Sequence, residues 1–188
     1  MLTVNLTATG LEPNQLHIQH IHGLVGMGGM PLDSTIPTLA QADTDRDGFL
    51  ELAEGDPFYG PVLLQLTNPP GNTMTGFPMA ANGQINYTQT FDLSQQSQFG
   101  TMFTKDQVLP LDLREIVVHG LTVGAVGAGT PGEVNGIAGY KVALPVSAGD
   151  IRLSSMTVTP IPEPQTYALM LAGLGLMGFV AKRRAKQV

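Results

Sequence analysis

Three of the chain's four histidines fall within six positions, in the stretch LHIQHIHG at residues 16–23, and the fourth, His119, lies in REIVVHG almost a hundred residues later. Neutral imidazoles with no thiolate nearby suit copper or zinc. On an extended strand, residues two apart project from one face. His20 and His22 therefore point the same way, with Ile21 opposite, which is the geometry for two rings gripping one ion. His17 is three positions before His20 and falls on the other face unless a bulge intervenes. His119 supplies a third ligand only if the fold lays its own strand alongside. The competing reading of the same spacing is a solvated pair of histidines on a strand edge.

A second set of ligand atoms is contiguous. The run DTDRDGFLELAE at residues 43–54 fits the calcium-loop spacing D-x-D-x-D-G-x5-E in full. Asp43, Asp45 and Asp47 supply oxygens at positions 1, 3 and 5, and Gly48 permits the sharp turn at position 6. Phe49 offers its carbonyl at position 7, Glu51 stands at position 9, and Glu54 can chelate through both oxygens at position 12. Five carboxylates in so short a run repel one another unless a cation sits among them. The alternative is a solvated acidic loop. Pro37 shortens any entering helix and Pro57 stops any long exit helix, so the reading is an isolated structural calcium site rather than a sensor.

The elements that must position these groups read as mostly β. Residues 2–9 (LTVNLTAT) alternate apolar and polar, and residues 16–22 form a second strand. Residues 23–37 are Gly- and Pro-rich loop, and a short helix covers 38–42. Strand-like runs follow at 61–66, 84–93 and 116–123, and a long glycine loop precedes two closing strands, YKVALPV and IRLSSMTV. With 23 glycines, 14 prolines and only 13% charged residues, the composition matches short strands joined by turns. The expected architecture is an all-β sandwich or barrel spanning 1–157, with a linker at 158–165.

Charge is distributed unevenly. Four of the nine basic residues stand in the last seven positions, while all 15 acids lie at or before Glu163. The body is strongly acidic, so it repels nucleic acid and attracts cations. The absence of cysteine excludes disulfides and thiolate metal sites.

The tail is IPEPQTYALMLAGLGLMGFVAKRRAKQV. Pro162-Glu163-Pro164 precedes an uncharged apolar run, and Lys182, Arg183 and Arg184 follow it. This order resembles the PEP-CTERM sorting signal of Gram-negative bacteria. The resemblance implies an exported protein, held in the inner membrane by a transmembrane helix within 166–188. Positive-inside logic keeps the basic end cytoplasmic and the body in the periplasm. Processing by an exosortase then passes the body to the envelope surface or outside. The start MLTVNLTATG has neither a basic region nor an apolar core, so the expectation is a leader upstream of Met1.

The run GLEPNQLHIQHIHG resembles a stretch of the copper/zinc superoxide dismutase family, and LREIVVHG and NGIAGYKVALPV resemble two later segments of it. The resemblance implies an eight-stranded Greek-key β-sandwich. It places His20, His22 and His119 on copper ligands, His17 on a structural brace, and Lys141 on the cation that guides superoxide. The chain has no further histidine and no cysteine for that family's bridge, zinc site or disulfide. The sequence HIHG followed by GPV also resembles the chordin-type (CHRD) domain, an extracellular β module not credited with catalysis. Two functions stand open: a copper-only dismutase, and a non-catalytic surface or matrix module stabilised by calcium.

Overall fold

The computed structural model describes residues 1–71, 75–125 and 132–154. Within them the chain is mostly β: six strands in two sheets, with short helices in the connections. The N-terminal alternation becomes β1 (Leu2–Thr9), paired antiparallel along its whole length with β4 (Gln84–Phe91). The second sheet has the order β3-β2-β5-β6, from β2 (Gln19–His22), β3 (Val62–Gln65), β5 (Glu115–Val123) and β6 (Gly139–Asp150).

The core follows from period-two alternation. Ile21, Leu64 and Val118 of the larger sheet pack with Val4, Ile85, Tyr87 and Phe91 of the smaller one. Each such buried side chain contributes about 1.5–3 kcal/mol of transfer free energy. Turning Ile21 inward turns His20 and His22 to the other side of their sheet. A smaller cluster of Val123, Val134 and Leu144 takes in Phe49 of the acidic loop.

Three expectations are corrected. The strand expected over 16–22 is confined to Gln19–His22. Before it, Leu16 and His17 pair with the loop at 78–79 instead of a strand. The first closing strand, YKVALPV, lies within β6, which runs on to Asp150; of the second, residues 151–154 have no strand structure and 155–158 lie outside the described residues. Pro145 of β6 has no N–H for the ladder, and it is accommodated opposite His119 where the β5–β6 register shifts. Six strands are found among the described residues where the resemblance implies eight, and residues 23–61 form turns and helices.

The short helix expected at 38–42 is α1 (Leu39–Ala42), with Thr38 at its N-cap. The exit helix is α2 (Leu52–Tyr59), two turns long, with Pro57 inside it rather than at its end. The remaining α-helix among the described residues is α3 (Lys105–Val108). These elements belong to one compact unit, Met1–Leu153.

Candidate metal centres

The sheet order brings the distant histidine to the pair. β2 lies against β5, with Gln19 opposite Val118 and His22 opposite Glu115, and the His119 amide donates to the Ile18 carbonyl. The ring centroids of His20, His22 and His119 are 5.3–5.9 Å apart. One ligand nitrogen from each ring lies within 4.8 Å of the others. All three rings are buried, none more than 7% exposed.

Backbone carbonyls fix which nitrogens are available. His22 donates its Nδ1–H to Gly60 O at 2.8 Å, and His119 donates its Nδ1–H to Ala143 O at 2.7 Å. A neutral imidazole that donates from Nδ1 carries its lone pair on Nε2. His22 Nε2, His119 Nε2 and His20 Nδ1 are all buried, and none has a hydrogen-bond partner among the described residues. Buried polar atoms are ordinarily paired. Three orphans in one cluster are the pattern that metal-ligating histidines show, and His22 and His119 are each oriented through the other nitrogen by a carbonyl.

Electrostatics keep these rings uncharged. Burial, reinforced by the neighbouring His119 and His22, pushes His20 down to about 2. Burial likewise pushes His119 down to about 4, against the opposing effect of the Ala143 carbonyl. His22 is lowered by burial, with Gly60 O and Asp56 acting the other way. The lone pairs are therefore available at neutral pH. Two aromatic rings wall the cluster: Tyr59 stands edge-on to His22 at 4.8 Å, and Phe77 edge-on to His20 at 5.3 Å.

His17 stands apart from the cluster, before the start of β2. Both its nitrogens face carbonyls, Nδ1 toward His119 O at 2.8 Å and Nε2 toward Glu12 O at 3.1 Å. It ties the first turn of the chain to the strand that carries His119. Gly120 allows this approach: its φ is +112°, and a Cβ there would overlap the Tyr140 hydroxyl and crowd His17 Nδ1. Lys141 lies on β6 opposite Leu121, and its ammonium donates to Asn135 Oδ1 at 3.1 Å at the surface.

The acidic loop is folded around its own carboxylates. Asp43, Asp45 and Asp47 each offer an oxygen within 4.8 Å of the others. The Asp47 amide donates to Asp43 and Asp45, the Gly48 amide to Asp43, and the Phe49 amide to Asp47. Gly48 takes φ +90°, as the sixth position of such a loop requires. Burial and the charges of Asp45, Asp43 and Glu54 raise the Asp47 carboxyl.

Both glutamates already accept hydrogen bonds that fix the end of the loop. Glu54 accepts from the Thr44 amide and hydroxyl through Oε1 and from the Glu51 amide through Oε2. Glu51, only 3% exposed, accepts from the Val134 amide at 2.6 Å, and Glu133 accepts from the Leu52 amide at 3.0 Å. The segment after the glycine loop is thus docked on the end of the acidic loop.

Sequence reasoning missed Tyr59, Phe77, Glu133 and the carbonyls of Gly60 and Ala143. Carbonyls carry no sequence signal. Tyr59, two residues beyond Pro57 at the end of the loop's exit helix, carried one in principle.

The sorting residues Pro162, Glu163, Pro164, Lys182, Arg183 and Arg184, and the membrane helix expected within 166–188, lie outside the described residues. Among the described residues no helix is long and apolar enough to cross a membrane. Residues 160–184 match the PEP-CTERM protein-sorting motif, which marks an exported precursor recognised by an exosortase. No curated protein and no solved structure matches the chain.

Proposed function

We propose that this exosortase-sorted protein carries a dismutase-like β domain that holds one copper ion between His20, His22 and His119, without turning over superoxide. A calcium ion in the 43–54 loop, held by Asp43, Asp45 and Asp47 with Glu54 and the Phe49 carbonyl, keeps the domain ordered. Glu51 supports this site from outside, through its bond to Val134.

The observation that carries the reading is the set of three converging, unpartnered and uncharged imidazole nitrogens. Metal–nitrogen bonds of about 2.0 Å in a trigonal set place the nitrogens roughly 3.5 Å apart, a small contraction of this cluster. A three-imidazole site suits Cu(I), whereas Cu(II) prefers a tetragonal set. Burial and an acidic body disfavour an anionic substrate. Binding, orientation and exclusion of water are what these residues supply, and copper supplies whatever redox capacity the site has.

The test is metal analysis of the purified domain after exposure to Cu(I), Cu(II) and zinc in separate arms. One copper per chain, lost in His119→Ala and carrying no superoxide-dismutating activity, is the expected result. Preferential zinc loading would overturn the copper assignment. Copper-dependent dismutation that disappears in His119→Ala would establish the enzyme instead.

A further inference from the structure

The strand edges of this domain are not equally protected. An edge strand offers a row of unpaired N–H and C=O groups to any other chain, and proteins blunt it with charge, proline, bulges or a covering loop. β3 is covered, because the Gln65 amide donates to Phe99 O and the Thr101 hydroxyl to Leu63 O. β6 carries Lys141, Pro145 and Asp150, and its pairing with β5 shifts register around His119.

β1 has none of these devices. Its sequence, LTVNLTAT, holds no charge and no proline. It pairs with β4 residue for residue, from Leu2 with Phe91 to Thr9 with Gln84, without a bulge. In an antiparallel pair every second residue turns its N–H and C=O away from the partner strand. Among the described residues β1 pairs with β4 alone, and no backbone bond joins it to a loop. Its outer row of donors and acceptors is therefore open.

β4 is equally free of charge, yet burial separates the two strands. The inward side chains Ile85, Tyr87 and Phe91 of β4 are at most 7% exposed. On β1 only Val4 is buried, while Leu2, Leu6 and Ala8 stay partly exposed and Thr3, Asn5, Thr7 and Thr9 face solvent. The apolar layer stops short on the β1 side, where one more strand would complete it.

We propose that β1 pairs antiparallel with β1 of a second copy of this chain, joining two small sheets into one of four strands. Charge and pattern identify the occupant. Two acidic bodies repel wherever their acids face each other, and this edge presents none. β1 is also self-complementary. A two-fold axis at Asn5 or Leu6 sets like faces together, so apolar residues meet apolar ones and Thr or Asn meets Thr or Asn. A single strand pair is a small interface, so the association depends on concentration.

The full chain in detergent micelles is followed by sedimentation and by amide hydrogen exchange across a wide range of concentration. The expected result is a dimer that forms on concentration, with alternate amides of β1 becoming protected as it does. Asn5→Glu, at an exposed position, adds like charge at the seam twice over and should weaken the dimer about tenfold. Thr88→Glu puts the same charge on the same face of β4, one strand farther from the partner, and should leave association nearly unchanged. If Asn5→Glu does not fold, Thr7→Glu takes its place. A monomer at every concentration, or β1 amides already protected in the monomer, would overturn the proposal. So would association that survives the folded β1 variant, or an equal loss in Thr88→Glu.

Discussion

The histidine nitrogens come from two strands almost a hundred residues apart and are buried, while the aspartates of the acidic loop span five consecutive residues and stay half exposed. Each imidazole of the pair His22 and His119 is oriented by a carbonyl from a third element, Gly60 or Ala143. Each aspartate is oriented by amides of its own loop. The first centre is a product of the sheet and exists only when the domain is folded. The second is nearly written by local turn chemistry, and the fold adds Glu54 and the docked segment around Glu133. Their responses to acid and to chelation should differ accordingly.

Acid should separate them most. In copper-free protein His20 protonates near 2 and His119 near 4, and His22 is also lowered, whereas an unfolded histidine protonates near 6.5. Below about 6.5 the unfolded chain binds protons that the folded chain refuses, so stability is present above that value and lost as pH falls toward the folded values. Each histidine contributes a slope of up to about 1.4 kcal/mol per pH unit in that window. Chemical denaturation at pH 7, 6 and 5, comparing the wild type with His20→Asn, measures it. A slope that the variant does not flatten would mean that the rings are hydrated and that burial has not suppressed their charge.

Calcium removal comes next. An ion present at about a hundred times its dissociation constant stabilises the folded state by about 2.7 kcal/mol. Chelation should lower Tm by roughly 5–10 °C at this domain size, and Asp43→Ala should show the lowered Tm with or without calcium. A Tm insensitive to both leaves 43–54 as a solvated acidic loop.

These contrasts also explain what the sequence made legible. The acidic loop could be read residue by residue because its spacing is local, as could β1, β4 and the short α1 with its Thr38 cap. His20 and His22 could be paired by alternation alone, but His119 joins them through the β2–β5 register, which nothing in the local pattern encodes. The expected strand YKVALPV falls within β6, which runs on through residues 147–150 because they stay paired with the start of β5. Pro145, inside the expected strand, is accommodated by a register shift opposite His119.

A smaller effect tests whether the two centres communicate. α2 begins at position 10 of the acidic loop and ends at Tyr59, packed on His22, with Gly60 holding the Nδ1–H of the same ring. Couplings between sites are typically about 1–3 kcal/mol. Chelating calcium should therefore weaken copper about tenfold in a competition titration, and copper should tighten calcium by the same factor. Tyr59→Leu, which removes the ring from His22, should shrink that factor. Equal copper affinity with and without calcium would show that the two centres fold independently.

The smallest expected effect is at Lys141. Its ammonium reaches only Asn135 at the surface, and surface substitutions of this kind usually change stability by no more than about 0.5 kcal/mol. In a copper-holding protein Lys141→Ala should leave copper affinity and Tm unchanged. In a dismutase the same residue would be the cation that draws an anion through an otherwise acidic field, and its loss would slow the reaction, most visibly at low ionic strength. A salt-dependent loss of superoxide consumption in Lys141→Ala would therefore reverse the contrast drawn between the two centres, making the buried one catalytic. An unchanged rate would leave copper with a holding role and calcium with an ordering one.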